Sequence, residues 1–442
     1  MFSKRTFQAQ SVEYQKRSWD RYHVHQARRH QRFFRLLWLL VGPGVLVMLG
    51  ENDAPSMLSY AATGAKFGPR FFLPFVVVTF VLAYIVQEMT VRLAVSSQSG
   101  HAEMIYRRFG RFWGNLAMID LLVTNFITLI AEFVGIVTGA TYFHLSPAVA
   151  VAIGVVGMMV AAMVGRYRTW EVALLAMALF NLAFIPIALA DHPPWGTVAH
   201  AFVTWHPFGG WNSSTILLIV SDVGATVTPW MLFFQQSAVT DKGLVSQDIA
   251  HGRIDTWLGA SLAALGAVAC MLATYPLFVH HMDPRAYQRA GFAMALTPYV
   301  GHWMGRLFAL GLFEAGLVAA STISLSSAYA FGEIVGRSHS LNRSWHEAPA
   351  FYLILLGDAL VAGCVVLIPG FPATLVVLLV NVVAVLTMPP ALALLLILAN
   401  DVEVMGPHRN TRWQNVLGIG VGSLIFGAGV VFALSIIVPQ VW

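Results

Sequence analysis

The sequence predicts an all-α polytopic membrane protein of eleven transmembrane helices: two five-helix halves related by inversion, and one further helix. Three observations lead there. The 442 residues are 57% hydrophobic and only 11% charged, with a mean hydropathy of +0.69, whereas a soluble domain carries roughly a quarter of its residues as charges. The apolar residues fall into runs long enough to cross a bilayer, which takes about 20 residues per helix because the backbone must satisfy itself in lipid. Two of those runs, the first and the sixth, are interrupted by polar residues and a proline.

The elements follow in order. A polar, basic arm over residues 1–35 comes first, and no cleaved signal peptide is expected. The spans are predicted at about 36–62, 70–93, 112–140, 146–165, 169–190, 213–239, 255–280, 306–335, 350–368, 371–400 and 413–438. Residues 36–442 therefore read as one transmembrane domain, with repeat one at about 36–190, repeat two at about 213–400 and an extra helix at 413–438. Residues 191–212 and 281–305 read as short external caps. Cys270 and Cys364 both lie in apolar spans and make no metal-ligand pair.

The placement of charge sets an expected topology. Of 26 Lys and Arg, nine lie in the arm against Glu13 and Asp20, and alternate loops such as 107–111, 166–168 and 409–412 carry most of the rest. Lys66, Arg70, Arg285, Arg289 and Arg306 fall on the opposite side. That asymmetry predicts a cytoplasmic amino terminus and an extracytoplasmic carboxyl terminus. The net charge of +5 thus reads as a topology signal near anionic lipid, and no nucleic-acid partner is expected.

The first interruption, LGENDAPSML at 49–58, puts Glu51, Asn52, Asp53, Pro55 and Ser56 where hydrocarbon is expected; the second is SDVGATVTPWMLFFQQS at 221–237. Pro55 and Pro229 each remove a backbone donor, and Gly50 and Gly224 lower the cost of unwinding. Broken helices at membrane depth are tolerated where the freed groups line an enclosed cavity. Breaks in corresponding members of two halves point to a secondary transporter with a midplane site. The plainer alternative is two proline kinks with no ligand, which leaves Asp53 without a reason.

At this point the chain resembles the Nramp family of divalent-metal transporters. GPGVLVMLGENDAPSMLSYAATGAKFG (42–68) is similar to that family's first span, with Asp53 on its metal-binding aspartate. GATVTPWMLFFQQS (224–237) and VNVVAVLTMPPALALLLILANDVEVMG (380–406) resemble its sixth and tenth spans. AEFVG (131–135), GRIDT (252–256) and GLVAASTISLSSAYAFGEIV (316–335) match further stretches. The resemblance implies a LeuT-like five-plus-five inverted repeat with unwound helices 1 and 6, transport by alternating access, no enzymatic activity and no cofactor.

The departures carry the information about the ion. The family's Asp-Pro-Gly-Asn is Asp53-Ala54-Pro55-Ser56, its sixth-span methionine is Thr228, and its two histidines fall on Trp230 and Gln235. A tenth-span glutamine falls on Asn381, and the third-span Asp-x-x-Glu keeps Glu132 but has Leu129 for the aspartate. Thioether sulfur suits softer transition metals, whereas oxygen ligands suit Mg²⁺, which also holds its waters tightly. The pattern therefore resembles the Nramp-related magnesium transporter branch. The expected metal-binding groups are Asp53, Ser56, Thr228, Asn381 and the carbonyls near Gly50 and Ala225. Glu51 and Asp222 are expected to attract the ion into a vestibule, with Trp230, Gln235 and Glu132 behind the ligands. Losing the aspartate and histidines predicts weak or absent proton coupling.

Glu314 and Asp358 match no motif, Glu88 reads as interfacial, Asp120 is unassigned, and His101, His280, His281 and His346 are expected in solvated loops or span ends. Competing readings are a proton-coupled Mn²⁺/Fe²⁺ transporter, an organic amine or amino-acid transporter on the same architecture, and a non-transporting membrane subunit or sensor. The lipid bilayer and a divalent metal are the expected partners; the sequence leaves the oligomeric state open, and a monomer is compatible with it.

Overall fold

An apolar segment in hydrocarbon has to close its own hydrogen bonds, and among the described residues every regular element is a helix. The computed structural model describes residues 22–24, 26–27, 29–30, 33–190, 192–208, 210–281 and 291–437. Most of the basic arm, with Arg285 and Arg289, lies outside the described residues.

The chain order is α1 (Phe33–Leu40), α2 (Pro43–Glu51), α3 (Ala54–Phe67), α4 (Phe72–Ser97), α5 (His101–Thr141), α6 (Pro147–Ala162), α7 (Tyr167–Ala178), α8 (Phe184–Ala190), α9 (Ser213–Gly224), α10 (Pro229–Lys242), α11 (Ile249–Ala273), α12 (His302–Val335), α13 (Pro349–Val366), α14 (Ala373–Asn400) and α15 (Arg412–Ile437). Prolines open α2, α6, α10 and α13, where a missing N–H costs nothing. Left-handed glycines close α10 and α12 at Gly243 and Gly336. Among the described residues nine helical segments are long and apolar enough to cross a membrane. Of the other two expected spans, the fourth is the 16-residue helix Pro147–Ala162 and the first is split into α2 and α3.

Several boundaries differ from expectation. The third span starts at His101, because α5 continues through a non-helical Gly110 (φ 81°) into the helix that precedes it. The fifth span holds a 3₁₀ stretch, Leu179–Ala183, between α7 and α8. His101 is fully buried, its Nδ1 2.6 Å from Gln236 Oε1 and its ring edge-on to Phe233. The solvated reading fails there because Gly100 caps a helix that turns inward, while His280, His281 and His346 are exposed as expected. Glu88 is buried, paired with Arg92 and Arg253.

Two features position the site. First, α2 packs against α10 while α3 packs against α9, so the two split spans lie antiparallel with their breaks at one level. Second, the start of α2 is held from α11. The Asp255 carboxylate accepts the Gly42, Gly44 and Val45 N–H groups at 2.9, 2.7 and 3.1 Å, the orphan donors of a helix start. Lys242 and Arg168 donate to the Val41 carbonyl at 2.9 and 3.2 Å and share the buried Glu171 carboxylate. Here the helices touch backbone to backbone: a Cβ on Gly44 would lie 2.6 Å from Thr256 N, and one on Gly259 2.7 Å from the Gly44 carbonyl.

Asp255→Ala leaves three buried donors unpaired, each worth about 1–3 kcal/mol. Thermal unfolding in detergent should show a loss of at least about 3 kcal/mol; an unchanged melting temperature would remove Asp255 as the anchor of α2.

Candidate metal site

Asn52 and Asp53 separate α2 from α3, and residues 225–228 separate α9 from α10. The prolines decide which carbonyls lose their partners. Pro55 has no N–H for the carbonyl of Glu51, nor Pro229 for that of Ala225. A third carbonyl is released differently: the Ala54 N–H, which would close the turn onto Gly50, donates instead to Glu132 Oε2 at 3.1 Å.

The two breaks satisfy each other. Thr228 Oγ1 donates to Glu51 Oε2 at 2.8 Å, and Tyr60 Oη donates to the Ala225 carbonyl at 2.8 Å. A carbonyl has two lone pairs, so Ala225 keeps one acceptor site. Asp53 caps α3, accepting the Ser56 N–H at 2.8 Å on Oδ1. Its carboxylate also lies within hydrogen-bonding reach of the Ser56 and Glu132 side chains. Asp53, Glu51 and Glu132 are 2, 0 and 0% exposed, and Glu51 and Glu132 both lie within electrostatic reach of Asp53. Around this break Glu51 Oε1, Ser56 Oγ and Glu132 Oε1 are buried without a hydrogen-bond partner. Orphaned oxygens beside adjacent carboxylates are what a cation would relieve.

Asn381 and Asp222 belong to a neighbouring polar cluster. Ser59 Oγ donates to Asp222 Oδ1 at 2.7 Å and lies 2.8 Å from Ser221 Oγ, Thr63 Oγ1 donates to Asp222 Oδ2 at 3.2 Å, and Asn381 Nδ2 reaches Ser221 Oγ at 3.4 Å. Asp222 is fully buried in this conformation, tying α9 to α3 rather than facing an open vestibule. Glu51 is buried likewise. The Trp230 ring lies against Gly50 and beside Glu51. Gln235 does not reach the break: its Nε2 donates to Thr256 Oγ1 at 3.0 Å. Asn52 faces α11, donating to the Ala263 carbonyl at 2.8 Å. Among the described residues no three His, Cys, Asp or Glu side chains form a metal-holding group, so an ion at the breaks has to take neutral oxygens as well.

Ser59, Tyr60 and Thr63 have no place in the sequence reading. With Ser56 they fall at i, i+3, i+4 and i+7, one face of a helix, and that polar stripe is the signal that finds them. Gly224, the last residue of α9, also has a steric role: a Cβ there would overlap the Asn381 carbonyl of α14.

Three comparisons bear on this geometry. The sequence matches the Nramp family, described as natural resistance-associated macrophage protein-like, over residues 44–435. It is 24% identical over 421 residues to the divalent metal cation transporter MntH of Staphylococcus aureus (strain Newman), covering 89% of each chain. A crystal structure of a mutant Eremococcus coleocola manganese transporter superposes with TM-score 0.75 at 21% identity, over 90% of this chain and 87% of that one. MhsT in complex with L-phenylalanine gives 0.54 at 14% identity, over 89% and 98%; these likenesses establish a shared fold.

Gly224→Val should wedge α9 from α14 and destabilise by about 1–3 kcal/mol, whereas Gly357→Ala, with open space around it, should leave the melting curve unchanged. Equal melting temperatures for the two variants would contradict the close approach.

Proposed function

The chain belongs to the Nramp family, and from that premise we propose that it carries a divalent metal ion through the membrane by alternating access, with Mg²⁺ as its principal cargo. One observation carries the ion assignment: where the family has a sulfur ligand, Thr228 presents a hydroxyl, and Glu51, Ser56 and Glu132 each keep an unpartnered oxygen at the first break. Oxygen-only surroundings suit a hard cation. Mg²⁺ keeps several waters and needs only one or two carboxylates, which fits a site anchored on Asp53.

In this reading Asp53 is the charged anchor. Ser56, Thr228, Asn381 and the Gly50 and Ala225 carbonyls contact the ion or its waters, Glu51 and Asp222 supply negative potential, and Glu132 and Trp230 stand behind the ligands. Gln235 contributes at a distance. The amino terminus is cytoplasmic and the carboxyl terminus extracytoplasmic, with 1–35 as a basic arm and 36–442 as a single transporting domain in the plasma membrane. Uptake needs no proton: a divalent ion moving into a compartment held at −100 mV gains about 4.6 kcal/mol.

A second reading is proton-coupled Mn²⁺ transport. It is favoured by the names of the relatives, a divalent metal cation transporter and a manganese transporter, and by the retained, buried Glu132.

Proteoliposomes separate the two. Mg²⁺ uptake should be saturable, should be abolished in Asp53→Ala, and should proceed without acidification of the lumen. Mn²⁺ uptake that tenfold excess Mg²⁺ leaves unaffected, accompanied by luminal acidification, would establish the second reading. Replacing Thr228 by Met should shift preference toward Mn²⁺ by about tenfold or more, read as the ratio of Mn²⁺ to Mg²⁺ uptake rates.

A further inference from the structure

Two side-chain amides lie deep in the membrane domain without a full set of partners, and they meet at one glycine. Asn181 belongs to the 3₁₀ stretch between α7 and α8 and is fully buried, with neither its Oδ1 nor its Nδ2 hydrogen-bonded. Asn52, in the first break, is also fully buried; its Nδ2 donates to the Ala263 carbonyl at 2.8 Å, and its Oδ1 has no partner. Both residues approach Gly266 of α11. A Cβ there would stand 2.9 Å from Asn52 Nδ2, 3.5 Å from the Asn181 backbone carbonyl and 3.8 Å from Met57 Cε. The glycine thus leaves a notch in α11, edged by the two asparagines and the methionine.

An amide taken out of water without a replacement hydrogen bond is costly, and in protein interiors the missing partner is regularly an ordered water. The chemistry of the donor set decides what fits. Whichever way the Asn181 amide is turned, it presents two N–H donors and one carbonyl acceptor, and Asn52 adds a second acceptor. A metal ion would meet the oxygens alone and an anion the N–H groups alone. No ionised side chain hydrogen-bonds to either amide. Water both donates and accepts, so one molecule can take an Asn181 N–H and donate to Asn52 Oδ1.

We propose that an ordered water occupies the notch at Gly266 and bridges Asn181 to Asn52. A 3₁₀ segment inside a longer helix often marks a functional joint. Here the bridge ties that segment of the fifth span to the linker that carries Asp53, whichever metal is transported.

X-ray radiolytic labelling of the purified protein tests this, because hydroxyl radicals made from a bound water oxidise the side chains it touches. Met57 is fully buried at the edge of the notch, and Met158, buried in α6, is the reference. Met57 should oxidise several-fold faster than Met158, and Asn181→Leu should bring it down to the reference rate. The same variant separates a wet notch from a dry one by the sign of its thermal shift. Leucine is close to asparagine in shape, so in a dry notch it removes an unpaired amide and raises the melting temperature. Where water bridges, it strips Asn52 Oδ1 of its donor and lowers the melting temperature by about 1–3 °C. Gly266→Ala, whose methyl fills the notch, is the second labelling variant should the first misfold. Met57 oxidised no faster than Met158, undiminished labelling in the variants, or a raised melting temperature in Asn181→Leu overturns the proposal.

Discussion

A backbone that leaves its helix inside a membrane has to find partners within the protein, and the site depends on that constraint. Each break orphans carbonyls through its proline, and side chains from other spans tie the freed segments down: Tyr60 takes the Ala225 carbonyl, Thr228 reaches the Glu51 carboxylate, and Glu132 takes the Ala54 N–H. These bonds run between different spans, so they fix the two breaks at one depth. They also leave a residue of unfilled oxygen valence, on Glu51, Ser56 and Glu132. The architecture thereby gathers unfilled oxygens at a single place, an arrangement suited to a cation.

Much of this is legible in the sequence because it is local. Proline and glycine within apolar runs mark both breaks, and Asp53 announces itself as a charge that needs a reason at that depth. The spans are legible from hydropathy, apart from the kink at Gly110 and the 3₁₀ stretch of the fifth span around the buried Asn181, since hydropathy does not report helix geometry. The illegible part is long-range. Asp255 lies more than two hundred residues from the N–H groups it accepts. His101 follows a loop sequence, and only the packing of α5 onto Gln236 and Phe233 buries it. Gln235 aligns with a family histidine, yet its side chain turns toward Thr256. Alignment places a residue on a helix; it does not aim the side chain.

In the proposed function, proton handling and ion choice rest on these same groups. A thioether or an imidazole at the second break would bring a soft or titratable ligand. A threonine hydroxyl brings neither, and here it is spent on holding Glu51. The charge balance at the site is then set by carboxylates alone, with the cargo as their natural counter-charge.

The crossing of α2 and α11 has a consequence of another kind. Where Gly44 and Gly259 let two backbones touch, no side chain stands between them to be exchanged for a larger or smaller one. Single substitutions can exchange side chains at the breaks, but they cannot gradually loosen this joint: a larger residue there separates the helices outright. The seam is in that sense a fixed point of the fold, with no intermediate setting between closed and parted.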